Sequence, residues 1–176
     1  MENLIKKSLT PKAILVLSLI FLCLVGISCS KQDTYYHVYE MKDANWVQKD
    51  TLRFTIDTTM FKVDSVLFET NIPYTLSIEV TNNVNYPYRN IWFFIQSNID
   101  SDSVYAEQSK EYQLADIEGK WLGSGFGNLF QSSFVVFENI SFSEKRNYYI
   151  KVEHGMRDEL LTGIEKVGIK LSKKEK

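Results

Sequence analysis

The stretch Tyr74-Thr75-Leu76-Ser77-Ile78-Glu79-Val80-Thr81 decides the fold class. Apolar and polar residues alternate with period two. In an extended chain Tyr74, Leu76, Ile78 and Val80 share one face, and Thr75, Ser77, Glu79 and Thr81 share the other. A helix would scatter the same apolar side chains around its axis. The reading is a β-strand with one dry face and one wet face. The alternation recurs on both sides of this stretch. Upstream, Leu52, Phe54 and Ile56 interleave with Thr51, Arg53 and Thr55. Downstream, Tyr148, Ile150 and Val152 interleave with Tyr149, Lys151 and Glu153, and Val167, Ile169 and Leu171 with Gly168, Lys170 and Ser172. Phe134 to Phe137 is a short apolar run. Ile91-Trp92-Phe93-Phe94-Ile95 is apolar throughout, which suits a central strand covered on both faces.

Turn-forming residues separate these runs at Asn82-Asn83, at Tyr86-Pro87-Tyr88, over 98–103 and over 119–127. No long segment carries a helical stripe, although a helical turn near Met156 to Leu161 would be compatible. Six or more short strands around one core predict an all-β protein, a single antiparallel β-sandwich spanning residues 45–172 with a short basic tail at 173–176.

The chain has 176 residues, 44% of them hydrophobic and 14% aromatic, enough for one packed core. Its 20 Lys+Arg against 22 Asp+Glu give a net charge of -2, without the basic excess of a nucleic-acid binder. Two cysteines and two histidines, without ligand spacing, provide no zinc site. No metal, cofactor or nucleic-acid partner is expected.

The N-terminus gives an address. Lys6, Lys7 and Lys12 precede an apolar run from Ala13 to Ile27, broken only by Ser18 and Gly26. Fifteen helical residues rise roughly 22 Å, short of the ~30 Å hydrocarbon core, so the run reads as a secretory signal rather than a spanning anchor. It ends in Val25-Gly26-Ile27-Ser28-Cys29, and the small Ser28 before Cys29 is what a lipoprotein signal peptidase needs. Cys23 follows the bulky Leu22 and is the poorer site. Gly26 departs from the aliphatic residue usual three positions before the cysteine. Residues 1–28 are therefore expected to be a cleaved lipoprotein signal, with Cys29 acylated. At ~0.8 kcal/mol per buried CH₂, several acyl tails anchor a protein stably. The mature chain would hold 17 Lys+Arg against 21 Asp+Glu, a charge of -4, and no free thiol. Residues 29–44 are expected to be the lipidated terminus followed by a linker or loosely docked strand, able to hold the domain up to ~50 Å from the lipid when extended.

The residues offer little chemistry. His37 and His154 belong to no nucleophile pattern, and His154 reads as a strand-end residue satisfied by its neighbours. Asn98-Ile99-Asp100-Ser101-Asp102 spaces its acids as calcium loops do, but lacks the glycine and bidentate Glu of an EF-hand, so a turn is expected. Trp121-Leu122-Gly123-Ser124-Gly125-Phe126-Gly127 matches neither a dinucleotide nor a phosphate loop. It reads as a crossover pinned by Trp121, Leu122 and Phe126, with a partner-docking loop as the other reading.

At this loop the sequence resembles the GldH family of gliding-motility lipoproteins from Bacteroidetes. The matching stretches are Cys29, Trp46, Asn83 to Tyr88 with Asn90-Ile91-Trp92, and Leu114-Ala115-Asp116 leading into Gly119 to Gly127. His154-Gly155-Met156-Arg157 and Leu160 to Gly168 complete them. His154 stands where the family often has Gln, and Met60 to Asn71 is a longer first connection than usual. The resemblance implies a non-catalytic, membrane-anchored envelope lipoprotein that acts through protein partners in gliding-type machinery, with no small-molecule substrate. Candidate partner-binding residues are Trp121, Phe126, Tyr86, Tyr88 and Arg157. For Arg157 an ion pair fixing the last crossover is favoured over a partner contact. The alternative function is a glycan-binding envelope lipoprotein, which would need tryptophan and tyrosine side chains facing outward. Triplets such as Asp57-Thr58-Thr59 also resemble the O-glycosylation signal of this phylum.

Overall fold

The computed structural model describes residues 35–59, 72–103 and 105–174. The signal segment, Cys29 and the Met60 to Asn71 connection lie outside them. Eleven strands are described: β1 (Tyr35–Glu40), β2 (Asn45–Val47), β3 (Leu52–Asp57), β4 (Tyr74–Asn83), β5 (Asn90–Ser97), β6 (Ala106–Gln113), β7 (Ser124–Phe126), β8 (Leu129–Ile140), β9 (Asn147–His154), β10 (Leu160–Thr162) and β11 (Ile164–Lys173). They form a five-stranded sheet in the order β1-β11-β4-β8-β7, a four-stranded sheet β3-β9-β5-β6, and a small ribbon of β2 and β10. Every pairing is antiparallel. The expected all-β sandwich is what the chain forms.

Period-two alternation builds the core. From the first sheet, Leu76, Ile78, Val80, Val167, Ile169 and Leu171 are wholly buried; from the second, Ile56, Ile91, Phe93, Ile95, Ile150 and Val152. They belong to one continuous apolar cluster. Each fully buried side chain of this kind contributes roughly 1.5–3 kcal/mol relative to exposure.

The open flanks between the sheets are laced by side chains that bond edge carbonyls. On one flank Tyr39 Oη donates to Arg53 O at 2.7 Å. On the other, Lys110 Nζ donates to Val136 O at 2.7 Å and Tyr112 Oη to Val135 O at 3.1 Å. Edge groups satisfied in this way are less available for pairing with another chain.

Three expectations change, and the helical turn that would have been compatible near Met156 to Leu161 is absent. The folded body does not begin at residue 45, because β1 lies inside the segment read as a linker or loosely docked strand and pairs with β11 over its full length, from Tyr35↔Leu171 to Glu40↔Lys166. The wet face of β4 is covered: Ser77 and Glu79 are buried, and Glu79 is bonded by Lys170 Nζ and Gln131 Nε2, each at 2.7 Å. No helical turn forms near Met156 to Leu161, where β10 pairs with β2 instead. Finally, β5 is covered on one face only. Ile91, Phe93 and Ile95 are buried, but Trp92 is 37% exposed and Phe94 41%.

Candidate functional site

The functional candidates gather at one end of the sandwich, around the 114–129 excursion and the connections β4–β5 and β9–β10. The excursion is bonded throughout. Leu114 N and Ala115 N both donate to Arg89 O, at 2.7 and 2.9 Å. Asp116 turns the chain: its carboxylate accepts from Glu118 N at 3.0 Å and Lys120 N at 2.9 Å. Ala115 bridges Trp121, and Leu122 N donates to Leu114 O at 2.9 Å. The chain then enters the β7–β8 hairpin, turning at Gly127, whose φ of +63° favours glycine.

This frame presents apolar side chains to solvent. Phe126 is 92% exposed, Ile117 82% and Leu122 59%. Trp121 does the opposite: it is half-buried, with ring centroids 5.6 Å from Phe130 and 6.4 Å from Tyr86. Of the three residues expected as pins, only Trp121 packs inward, and the segment is a hairpin arm rather than a crossover.

Beneath it Tyr86 is buried, and its hydroxyl donates to Asn90 O at 2.8 Å. Burial, then the neighbouring Tyr88 and Asp158, push its pKa up. Tyr88 is half-buried and donates to Asp158 Oδ2 at 2.6 Å. Arg157 is exposed, and among the described residues nothing pairs with its guanidinium. The favoured ion-pair role for Arg157 is therefore not met.

A family model for the GldH lipoprotein matches residues 33–171. The chain belongs to the GldH lipoprotein family. Its GldH relatives include a gliding motility lipoprotein GldH homolog of Christiangramia forsetii, 28% identical over 89% of this chain and 93% of the relative. Gliding motility lipoprotein GldH of Flavobacterium johnsoniae is 25% identical over 89% and 95%. Among solved structures, an Eiger TNF from S. frugiperda covers 82% of this chain and 94% of its own, at 11% identity and a TM-score of 0.35. The VP2 subviral particle of infectious bursal disease virus aligns at a TM-score of 0.27 and 11% identity, over 81% and 32%.

On the GldH fold, the sequence-expected residues divide. Tyr86 is buried, and Trp121 is half-buried against Phe130 and Tyr86. Phe126, Tyr88 and Arg157 remain accessible, Phe126 on the hairpin and the other two beside a groove on the second sheet. Sequence reading missed Ile117, isolated in a polar turn, and the outward faces of Trp92 and Phe94. Asp102 is drawn to Arg146 Nη1 at 3.4 Å, and Arg146 Nη2 also donates to Asn98 O at 2.8 Å, so this turn is organised by a guanidinium. Among the described residues no three His, Cys, Asp or Glu side chains converge as metal ligands. In the glycosylation-like triplet at 57–59, Thr58 is buried and its hydroxyl bonds the carbonyls of Glu144 and Arg146.

His154 differs from its reading as a satisfied strand-end residue. It is fully buried, edge-on to Trp46 at 5.1 Å, and neither ring nitrogen meets hydrogen-bonding geometry. Burial lowers its pKa below the usual imidazole value, and the nearby Trp46 main chain with Asp158 and Glu153 only partly oppose this. The folded protein thus binds this proton more weakly than the unfolded chain. The stabilising effect of the neutral ring is complete above about pH 6.5 and is lost as pH falls below it. The urea midpoint should hold from pH 8 to 7 and then decline toward pH 5.5, and His154→Leu should flatten that decline. An unchanged slope in the variant would assign the effect elsewhere.

Proposed function

We propose that this chain is a lipid-anchored, non-catalytic envelope protein that docks other envelope proteins as a component of gliding-motility-type machinery. The observation that carries the reading is the excursion over 114–126, which exposes three large apolar side chains: Phe126 at 92%, Ile117 at 82% and Leu122 at 59%. Large apolar side chains held in water cost solvation energy until a partner covers them. The frame of main-chain bonds from Leu114 to Leu122 means that little ordering entropy remains to be lost on docking. Acylation at Cys29 confines the domain to the membrane surface and raises its effective concentration near other anchored components. Phe126 is the proposed anchor, with Leu122 and Ile117 as further apolar contacts, and Trp121 packs the same segment against Phe130 and Tyr86.

Crosslinking in native membranes tests this. The wild-type protein should yield a defined envelope partner, and the Leu122→Asp/Phe126→Asp double variant roughly 30-fold less, the loss of a hot spot worth about 2 kcal/mol. Both residues are exposed, so the thermal midpoint should stay within a few degrees of wild type. Equal partner recovery from the variant would refute the loop as the docking surface.

A further inference from the structure

The outer face of the second sheet carries a furrow that the docking loop does not use. Trp92 and Phe94, at successive outward positions of β5, form its floor. Their setting is fixed by Gly155. A Cβ there would stand 3.0 Å from Phe94 Cε2 and 3.3 Å from Trp92 Cβ, so glycine lets the β9–β10 connection run close alongside the two aromatics. Gly155 N donates to Trp92 O at 2.7 Å, and Trp92 N to Met156 Sδ at 3.4 Å. The hollow measures about 510 Å³, within the roughly 300–1,000 Å³ of small-ligand clefts.

Tyr88, Asn90 and Ser109 place hydroxyl and amide groups around it. Arg157 is the one charged residue in its lining, and no carboxylate lines it. The nearby acids accept hydrogen bonds from neutral groups: Asp158 from Tyr88, Glu111 from Asn90, and Glu153 from Thr51. Beyond Phe94 a smaller hollow of about 130 Å³ adds Gln96, Lys151 and two carboxylates, Glu107 and Glu153.

We infer that this furrow binds an acidic saccharide, with a sugar ring lying on Trp92 and Phe94 and its carboxylate held by Arg157. The main-chain groups of β5 are committed to β6 and β9, so this sheet face has none to offer. A peptide laid over the rings would gain no main-chain ladder from this face. A sugar ring has the matching division of surfaces. Its C–H face lies on the aromatics, and its hydroxyls reach the amide and hydroxyl groups at the perimeter. An unpaired guanidinium in a lining without carboxylates selects a carboxylate on that ring, bound through paired N–H donors.

The test uses the full-length lipoprotein in nanodiscs, titrated calorimetrically with trigalacturonate, trimannuronate and a hyaluronan tetrasaccharide, and with the methyl ester of trigalacturonate. At least one oligouronide should bind, and where it is trigalacturonate the ester should bind at least roughly tenfold more weakly, the scale of one charge-assisted bond. Arg157→Gln should reduce the acid to the level of a neutral sugar, and Trp92→Ala should weaken all binding at least roughly tenfold. Arg157 is exposed, so that variant keeps its melting temperature and remains a fair test if Trp92→Ala unfolds. Binding of none of the three oligouronides would overturn the inference, as would wild-type affinity in Arg157→Gln. Tighter binding of an acidic peptide would overturn it too. The docking loop is on a different surface, so none of these results bears on the Leu122 and Phe126 experiment.

Discussion

Replacing Gly163 by alanine should lower the unfolding free energy by about 3–5 kcal/mol, measured by urea denaturation at neutral pH. Two costs add. Gly163 has φ of +83°, where an L side chain costs about 1–2 kcal/mol. Its Cβ would also meet Tyr86 N at 2.4 Å and Tyr86 Cα at 2.6 Å, main-chain atoms that cannot swing aside as a flexible side chain would. Overpacking of that kind costs about 1–3 kcal/mol, and this contact falls at or above the upper end. The neighbours are tied in place: Gly163 N donates to Ala44 O at 2.8 Å, and Asn83 N to Gly163 O at 2.9 Å. Because Tyr86 supports Trp121, the variant should also loosen the docking loop, seen as faster amide exchange over 114–126. A loss below about 1 kcal/mol would show that the β4–β5 turn yields more easily than these contacts imply.

Cys29→Ala should abolish incorporation of labelled palmitate. Processing should fail as well, leaving a precursor heavier by residues 1–28. Palmitate labelling equal to wild type would sink the assignment of Cys29, and with it the confinement on which the proposed docking depends.

Legibility of the fold followed the contrast between the two faces of each strand. In β3, β9 and β11 the apolar members are aliphatic or aromatic and their partners polar, so the inward face could be read directly. In β1 both faces carry tyrosine, and His37 interrupts the apolar set, which hides the period. The polar strand β6, Ala106-Glu107-Gln108-Ser109-Lys110-Glu111-Tyr112-Gln113, has almost no apolar period because it is an edge whose half-buried residues are Gln108, Lys110 and Tyr112. For β5 the local sequence was misleading. Five apolar residues in a row show that two faces are apolar, but what covers each face is a property of the whole chain. The same limit applied to the site. Trp121 and Phe126 look equivalent as aromatics in a glycine-rich stretch, yet one meets Phe130 and Tyr86 across the hairpin and the other meets solvent.

The early start of β1 shortens the leash. From an acylated Cys29 to Tyr35, six residues fully drawn out reach at most about 22 Å, less than half of what a free segment to residue 44 would allow. Under the proposed acylation of Cys29, a domain on so short a stem stays close to the bilayer, and a partner that meets it lies close to that surface too.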